Sequence, residues 1–352
     1  MKDVLATLAL ESGAFALVDI DAGRLELAHR MAEFLVELSG RNWTVEASLD
    51  RAQVLPGSDY VINTIEVAGR ENVRHDYDIP LKYGVDQCIG DTIGPGGLFK
   101  ALRTLPAWID ILADVERLAP NALVMNYINP MSLTVLTGVR ASGLPIVGLC
   151  HSIQHTSYQL AEYLDIPWDE IDWRAAGINH LAWFVKLERD GADLYPLLRR
   201  RIAENPDIYE QDPVRFEMMK HLGAFVTESS GHTSEYTGYF RKRPDLIEKY
   251  MRSEYRGESG FYANNWPTWL EESAQELRDY LSGKEEIVLC QYMMITKGSL
   301  VNYRTKRNFR YYDLSYSVEP VLSEVTATFY VHLNRTNLYN YLTIMVHGVR
   351  TS

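Results

Sequence analysis

A thiol and an imidazole are good ligands for a divalent ion, and this sequence offers one of each beside polar segments. Cys150 ends an apolar run, and His180 follows in Gly-Ile-Asn-His, residues 177–180. Two protein ligands leave coordination positions for water or substrate. The plainer alternative is a buried apolar thiol and an internally satisfied histidine, and a spacing this long does not separate the two. Asn126 and Asn129, in Asn-Tyr-Ile-Asn-Pro, carry amides that both donate and accept, as sugar hydroxyls or a cofactor amide require. The alternative is a strand-ending turn, which Asn-Pro favours. Asp19 ends another apolar run, where nucleotide-binding folds place an acid that accepts from ribose hydroxyls. A helix N-cap is the alternative, for Asp21 equally. Gly90–Gly97 (GDTIGPGG) is glycine-rich and opens a helix, so its amides can approach a ligand closely. No Gly-Lys-Ser/Thr follows, which excludes a Walker loop. His232–Phe240 (HTSEYTGYF) gathers His, Glu and Tyr side chains that become acids or bases if desolvated, or else form an ordinary aromatic surface.

Positioning these groups requires regular elements. Ala14–Asp21, Asp59–Glu66, Ala122–Tyr127 and Pro145–Leu149 read as strands. Leu25, Ala28, Met31, Ala32 and Leu35 recur at helical spacing. A Gly/Pro turn at Gly94–Gly97 is expected to lead into a helix running down to about Leu118, and further helices are expected from about Ser152 to Leu164 and from Trp269 to Ser282. Alternating strands and helices predict a Rossmann-like, doubly wound α/β sheet, whose crevice lies at the carboxyl ends of its strands. Asp19, Asn126, Asn129, Cys150 and His151 all fall there. From about residue 185 the pattern is mixed and predicts a second, α+β domain.

The 352 residues are 46% hydrophobic and 23% charged, enough for one large core or two. A net charge of -12 argues against a nucleic-acid or anionic-membrane surface. No apolar run approaches the ~20 residues that span a bilayer. The three cysteines, Cys88, Cys150 and Cys290, are too few for a disulfide framework. With no signal sequence at the start, the expected location is cytoplasmic.

Together, LVDID (17–21), DTIGPGGLFKALRTLP (91–106), NYINPM (126–131), GLCHS (148–152), AGINHLAWF (176–184) and FVTESSGHTSEY (225–236) resemble glycoside hydrolase family 4 in order and spacing. Cys150-His151 with the later TESS is similar to the α-galactosidase branch. The resemblance implies an oxidation–elimination–addition–reduction mechanism, an exception to two-carboxylate hydrolysis. NAD takes a hydride from C3 of the sugar, a base removes the C2 proton, and the C1–oxygen bond breaks by elimination. Water then adds and the hydride returns. A divalent metal, commonly Mn2+, stabilises the enediolate.

Carried over by motif, Cys150 and His180 are the implied metal ligands, and Asn129 and Asn179 the sugar-binding amides. His151 is the implied acid, a residue suited to that task near neutral pH. Tyr236 is the implied base, with Glu235 and His232 as alternatives. Asp19, Asn126 and Gly96 are the implied NAD contacts. The expected division is an NAD-binding domain over residues 1–175, and an α+β substrate, metal and oligomerisation domain over 176–352. A homo-oligomer is implied as well.

Two departures from the family stand out. MKDVLATLALES resembles the helix that follows the family's first strand and Gly-x-Gly-Ser turn, so that strand and phosphate loop are expected to be missing. The tail after about residue 295 is atypical: tyrosine-rich, and without glycine between Gly298 and Gly348. A downstream start and an altered tail are the expectation. The rival readings are a non-catalytic remnant, an α-glucosidase or α-glucuronidase of the same family, or a 2-hydroxy-acid dehydrogenase sharing the fold. The metal pair and TESS argue against the last.

Overall fold

The computed structural model describes residues 1–7, 10–285, 328–329 and 343–351, the last two stretches as backbone. A short helix α1 (Lys2–Ala6) leads into strand β1 (Leu10–Val18) and helix α2 (Ala22–Ser39). Asp21 caps α2, accepting from the Arg24 amide at 2.9 Å, and Gly40 closes it at φ 60°. There follow β2 (Asn42–Ser48), β3 (Ser58–Asn63), α3 (Gly69–Leu81) and α4 (Gly94–Leu118). Next come β4 (Leu123–Asn126), α5 (Met131–Ala141), β5 (Ile146–Leu149) and α6 (Ser152–Leu164). β1, β3, β4, β5, α2, α4 and α6 answer to expected elements, although β1 begins before Ala14 and α4 already begins within the expected Gly94–Gly97 turn, whereas α3 and α5 were not expected. β2 was not foreseen, because its burial alternates too weakly to stand out from Asn42–Ser48.

The chain continues with β6 (Asp172–Ile178), β7 (Leu181–Arg189), β8 (Ala192–Asp193) and α7 (Tyr195–Glu204). Then come α8 (Pro206–Gln211), α9 (Pro213–Leu222), β9 (Phe225–Val226), α10 (Ser230–Tyr236), α11 (Pro244–Tyr250) and α12 (Phe261–Leu281). Two late strands, β10 (Thr328–Phe329) and β11 (Thr343–Thr351), complete the described residues.

The main sheet runs β10-β5-β4-β3-β11-β1-β2. All its pairings are parallel except those of β11, which lies antiparallel to both β1 and β3. The place between β1 and β3 is taken by β11. Thr343–Val346 pairs with Val18–Phe15 on one side, and Ile344–Val346 with Ile62–Tyr60 on the other, so the ladder is continuous. The rest of the tail after residue 295 lies outside the described residues.

Side-chain alternation along β1 covers both faces of the sheet. Phe15 and Leu17 enter a core with Leu25, Met31 and Leu35 of α2, whereas Ala16 enters one with Trp108, Leu112 and Val115 of α4. This is the doubly wound architecture. The second sheet is antiparallel, ordered β6-β7-β8 with β9 paired to β7. Its core is shared with α6, through Leu160 and Leu164 packed among Phe184, Phe216 and Phe225. In return, Leu277 of α12 packs into the α2 core. Each half thus borrows a helix from the other side of the expected boundary at residue 175.

Candidate active site

The site lies where the carboxyl ends of β4 and β5 meet the β6–β7 turn and α10. Cys150 follows β5 and is buried. His180 sits in the β6–β7 turn at φ 59°, a left-handed conformation uncommon for a side-chain-bearing residue. Backbone strain of this kind persists where surrounding structure enforces it, and it often marks functional positions. Glu228, two residues past β9, is 2% exposed. One ligand atom from each of Cys150, His180 and Glu228 can be chosen so that all lie within 4.8 Å of one another. Thiolate, imidazole and carboxylate form a donor set for a divalent cation. Ser152 ties the group together, donating to Glu228 Oε2 at 2.8 Å and lying 3.2 Å from Cys150 Sγ.

The electrostatics agree. Burial alone would lower the His180 pKa, but Glu228, Cys150 and Asp91 outweigh it and push the ring up to about 10. The surrounding acids thus favour positive charge at this position. Its Nδ1 is already engaged, 3.0 Å from Thr92 Oγ1 and 3.2 Å from Tyr236 OH, which leaves Nε2 for a metal. Thr92 in turn donates to Asp91 Oδ1 at 2.8 Å. Asp91 Oδ2 accepts from Asn129 Nδ2 at 2.9 Å. Burial works against the Asp91 charge, but Lys100, then His180 and His232, hold its carboxyl below the usual range. Lys100 is itself buried, 2.7 Å from Glu66 Oε2.

The structure brings Cys150, His180, Asn129 and Tyr236 together, Asn129 linked to His180 through Asp91 and Thr92, and Tyr236 directly. His151 is the N-cap residue of α6 and is exposed. Desolvation by the surrounding protein, with His180 nearby, pushes its pKa down to about 4 against the pull of Glu228, so the ring is neutral near pH 7 rather than the cation expected of an acid there. Burial, reinforced by Glu235 and Asp91, raises the Tyr236 phenol well above its ordinary value, so it is neutral in the ligand-free site. Asn179 is 7% exposed, and among the described residues neither its amide nitrogen nor its oxygen has a partner. An unsatisfied buried amide is costly, and a bound ligand would repay it.

The three implied NAD contacts behave differently. Asp19, 3% exposed, holds Arg24 in a bidentate pair at 2.7 and 3.1 Å and accepts from the Asp21 amide. It follows β1 directly, at the carboxyl end of that strand. Asn126 is fully buried, and its amide is used internally. Its oxygen accepts from Asn63, while its nitrogen donates to the Ile128 carbonyl and Thr134 Oγ1. Gly96 is glycine for packing reasons, since a Cβ there would collide with the Gly90 carbonyl. Asn126 thus ties the end of β4 to its neighbours, and Gly96 lets the start of α4 pack against residue 90.

Sequence reading did not assign Glu228, Asp91 or Thr92, although all lie in quoted motifs. The available signal was an acid isolated among small polar residues in Thr-Glu-Ser-Ser. Glu235, an alternative base, turns its carboxylate onto backbone amides of residues 88–90 instead of the crevice.

Comparison with known proteins places this geometry. Residues 1–166 match the family 4 glycosyl hydrolase model, and residues 175–308 match the model of that family's C-terminal domain. An α-galactosidase of Bacillus subtilis strain 168 is 42% identical over 71% of this chain and 58% of its own length. An α-galactosidase of Rhizobium meliloti strain 1021 is 36% identical over 78% and 59%. The chain thus spans under three-fifths of the length of both relatives. An α-glucosidase and an α-galacturonidase match at 34% and 28% identity. A crystal structure of a 6-phospho-α-glucosidase from gut microorganisms, in complex with NAD and Mn2+, superposes with a TM-score of 0.64. That likeness covers 96% of this chain and 76% of the other at 19% identity, and it shows a shared fold. By both domain models, the chain belongs to family 4 of the glycosyl hydrolases.

Proposed function

We propose that this chain is a metal- and NAD-dependent glycosidase acting on α-galactosides. The cluster of Cys150, His180 and Glu228 beside the unpartnered amide of Asn179 carries the reading. The α-galactosidase relatives support the choice of sugar. A divalent metal held by the cluster would polarise the sugar oxygens, and NAD would accept and return a hydride. The protein's own groups do the positioning. Asn129, held by Asp91, and Asn179 would orient two sugar hydroxyls. Tyr236, held against His180, is the candidate base once a bound cation lowers the pKa of its phenol, and His151 is the candidate donor to the leaving oxygen through the N–H of its neutral ring. Asp19 is the candidate ribose contact, with Arg24 the group that must yield to it.

A binding-only role is the second reading, because the Asp19 carboxylate is already bonded to Arg24 and the Asp21 amide. Calorimetry of NAD on the full chain, with and without Mn2+, separates the two. Micromolar NAD binding followed by Mn2+-dependent release of nitrophenol from its α-galactoside is expected of the enzyme. Metal binding without NAD binding would leave only the second reading.

A further inference from the structure

Glu235 is adjacent to the candidate base, yet its carboxylate does not reach toward the metal cluster. Its Oε2 accepts from the amides of Cys88 at 2.7 Å and Ile89 at 3.0 Å, and its Oε1 accepts from the amide of Gly90 at 3.0 Å. Three consecutive N–H groups converging on one carboxylate form a nest for an anion. Gly90 adopts φ 72°, which bends the chain around that anion. The loop so held runs directly into Asp91 and Thr92. Asp91 grips Asn129, and Thr92 touches His180 Nδ1.

The same carboxylate therefore fixes two things at once: the helix α10 that carries Tyr236, and the loop that orients His180 and Asn129. Packing supports the joint. A Cβ at Gly231 of α10 would fall 2.7 Å from Cys88 Sγ and 2.6 Å from the Tyr255 carbonyl, so helix and loop are in direct contact. Arg241, buried beside them, donates to Ser234 and pairs with Asp86, closing the far side of the loop.

We propose that Glu235 is a positioning residue that braces the Cys88–Thr92 loop and α10, and thereby sets the orientation of His180 toward a bound metal. The proposal rests on the metal-centre reading above. Groups that orient a ligating histidine typically contribute 10- to 100-fold in metal affinity, roughly, when removed. Glu235→Gln keeps the shape but replaces one accepting oxygen with a donor that faces a backbone N–H. Thr92→Val removes the hydroxyl at the other end of the brace and tests it should Glu235→Gln fail to fold.

Mn2+ titration of the full chain by electron paramagnetic resonance reads affinity directly, and hydrogen exchange of the 86–93 peptide reads the loop without metal. The expected result is that Glu235→Gln, with unchanged circular dichroism, binds Mn2+ at least about tenfold more weakly and exchanges faster over residues 88–90. Thr92→Val is expected to weaken Mn2+ similarly while leaving the exchange of residues 88–90 near that of the unaltered chain. Native Mn2+ affinity in Glu235→Gln, or unchanged exchange at residues 88–90, would overturn the brace. Absence of Mn2+ binding in the unaltered chain would instead overturn the metal-centre reading, and the exchange result would still decide whether Glu235 holds the loop.

Discussion

Glu228→Gln tests the candidate metal centre most directly. The change keeps size and the bond from Ser152 but removes one negative charge from a group that is 2% exposed. Folding has already taken this carboxylate out of water, so metal binding pays little further desolvation for it. A unit negative charge about 4 Å from a dication, at an effective dielectric near 20, attracts it by roughly 8 kcal/mol gross. Relaxation and water at the vacated position return much of that. A remaining loss of about 2.7 kcal/mol is a hundredfold in affinity. The assay is titration of Mn2+ into the metal-free chain, following the signal of the free aqueous ion, with circular dichroism to confirm the fold. Glu228→Gln is expected to bind Mn2+ about a hundredfold more weakly. An affinity within about threefold of the unaltered chain, under 0.7 kcal/mol or so, would refute the argument that this carboxylate is a ligand.

Further outcomes follow from individual contacts. Asn179→Ala removes an amide that has no partner among the described residues, so its melting temperature is expected to stay level or rise while galactoside binding weakens. A lowered melting temperature would show that the amide has a structural partner. Gly231→Ala forces a methyl against the Tyr255 carbonyl and Cys88, and is expected to cost about 1–3 kcal/mol in denaturant unfolding. Asp21→Ala removes the α2 cap and is expected to cost about 1 kcal/mol at neutral pH. The cap's bond from the Arg24 amide lowers the Asp21 pKa below 3.8, so this stability is present above that value and lost as pH falls through the lowered one. A deficit in Asp21→Ala that persisted unchanged into strong acid would contradict the capping account.

Much of the fold was legible in the chain because its signals are local. Apolar runs such as Phe15–Leu17 and Val61–Ile62 made the strands visible, and Leu25, Ala28, Met31 and Leu35 made α2 visible, by periodicity alone. The site was partly legible because the motifs holding Cys150, His180, Asn129 and Tyr236 have family spacing. β2 escaped because only Trp43 among its residues is fully buried. β11 escaped because a strand pairing with residues more than 280 positions away leaves no mark in its own neighbourhood.

The sequence by itself determined the alternation of strands and helices, the family, and which residue types stand at the strand ends. Only the tertiary structure decided that Glu228 joins Cys150 and His180, because that cluster draws on elements up to 78 positions apart. It also separated facing groups from supporting ones. Asn126 and Glu235 look like ligand groups in the sequence, yet their polar atoms are consumed by Asn63, Thr134 and the amides of residues 88–90. Whether a buried polar atom is free to bind depends on which partners folding brings to it, and those partners come from distant parts of the chain.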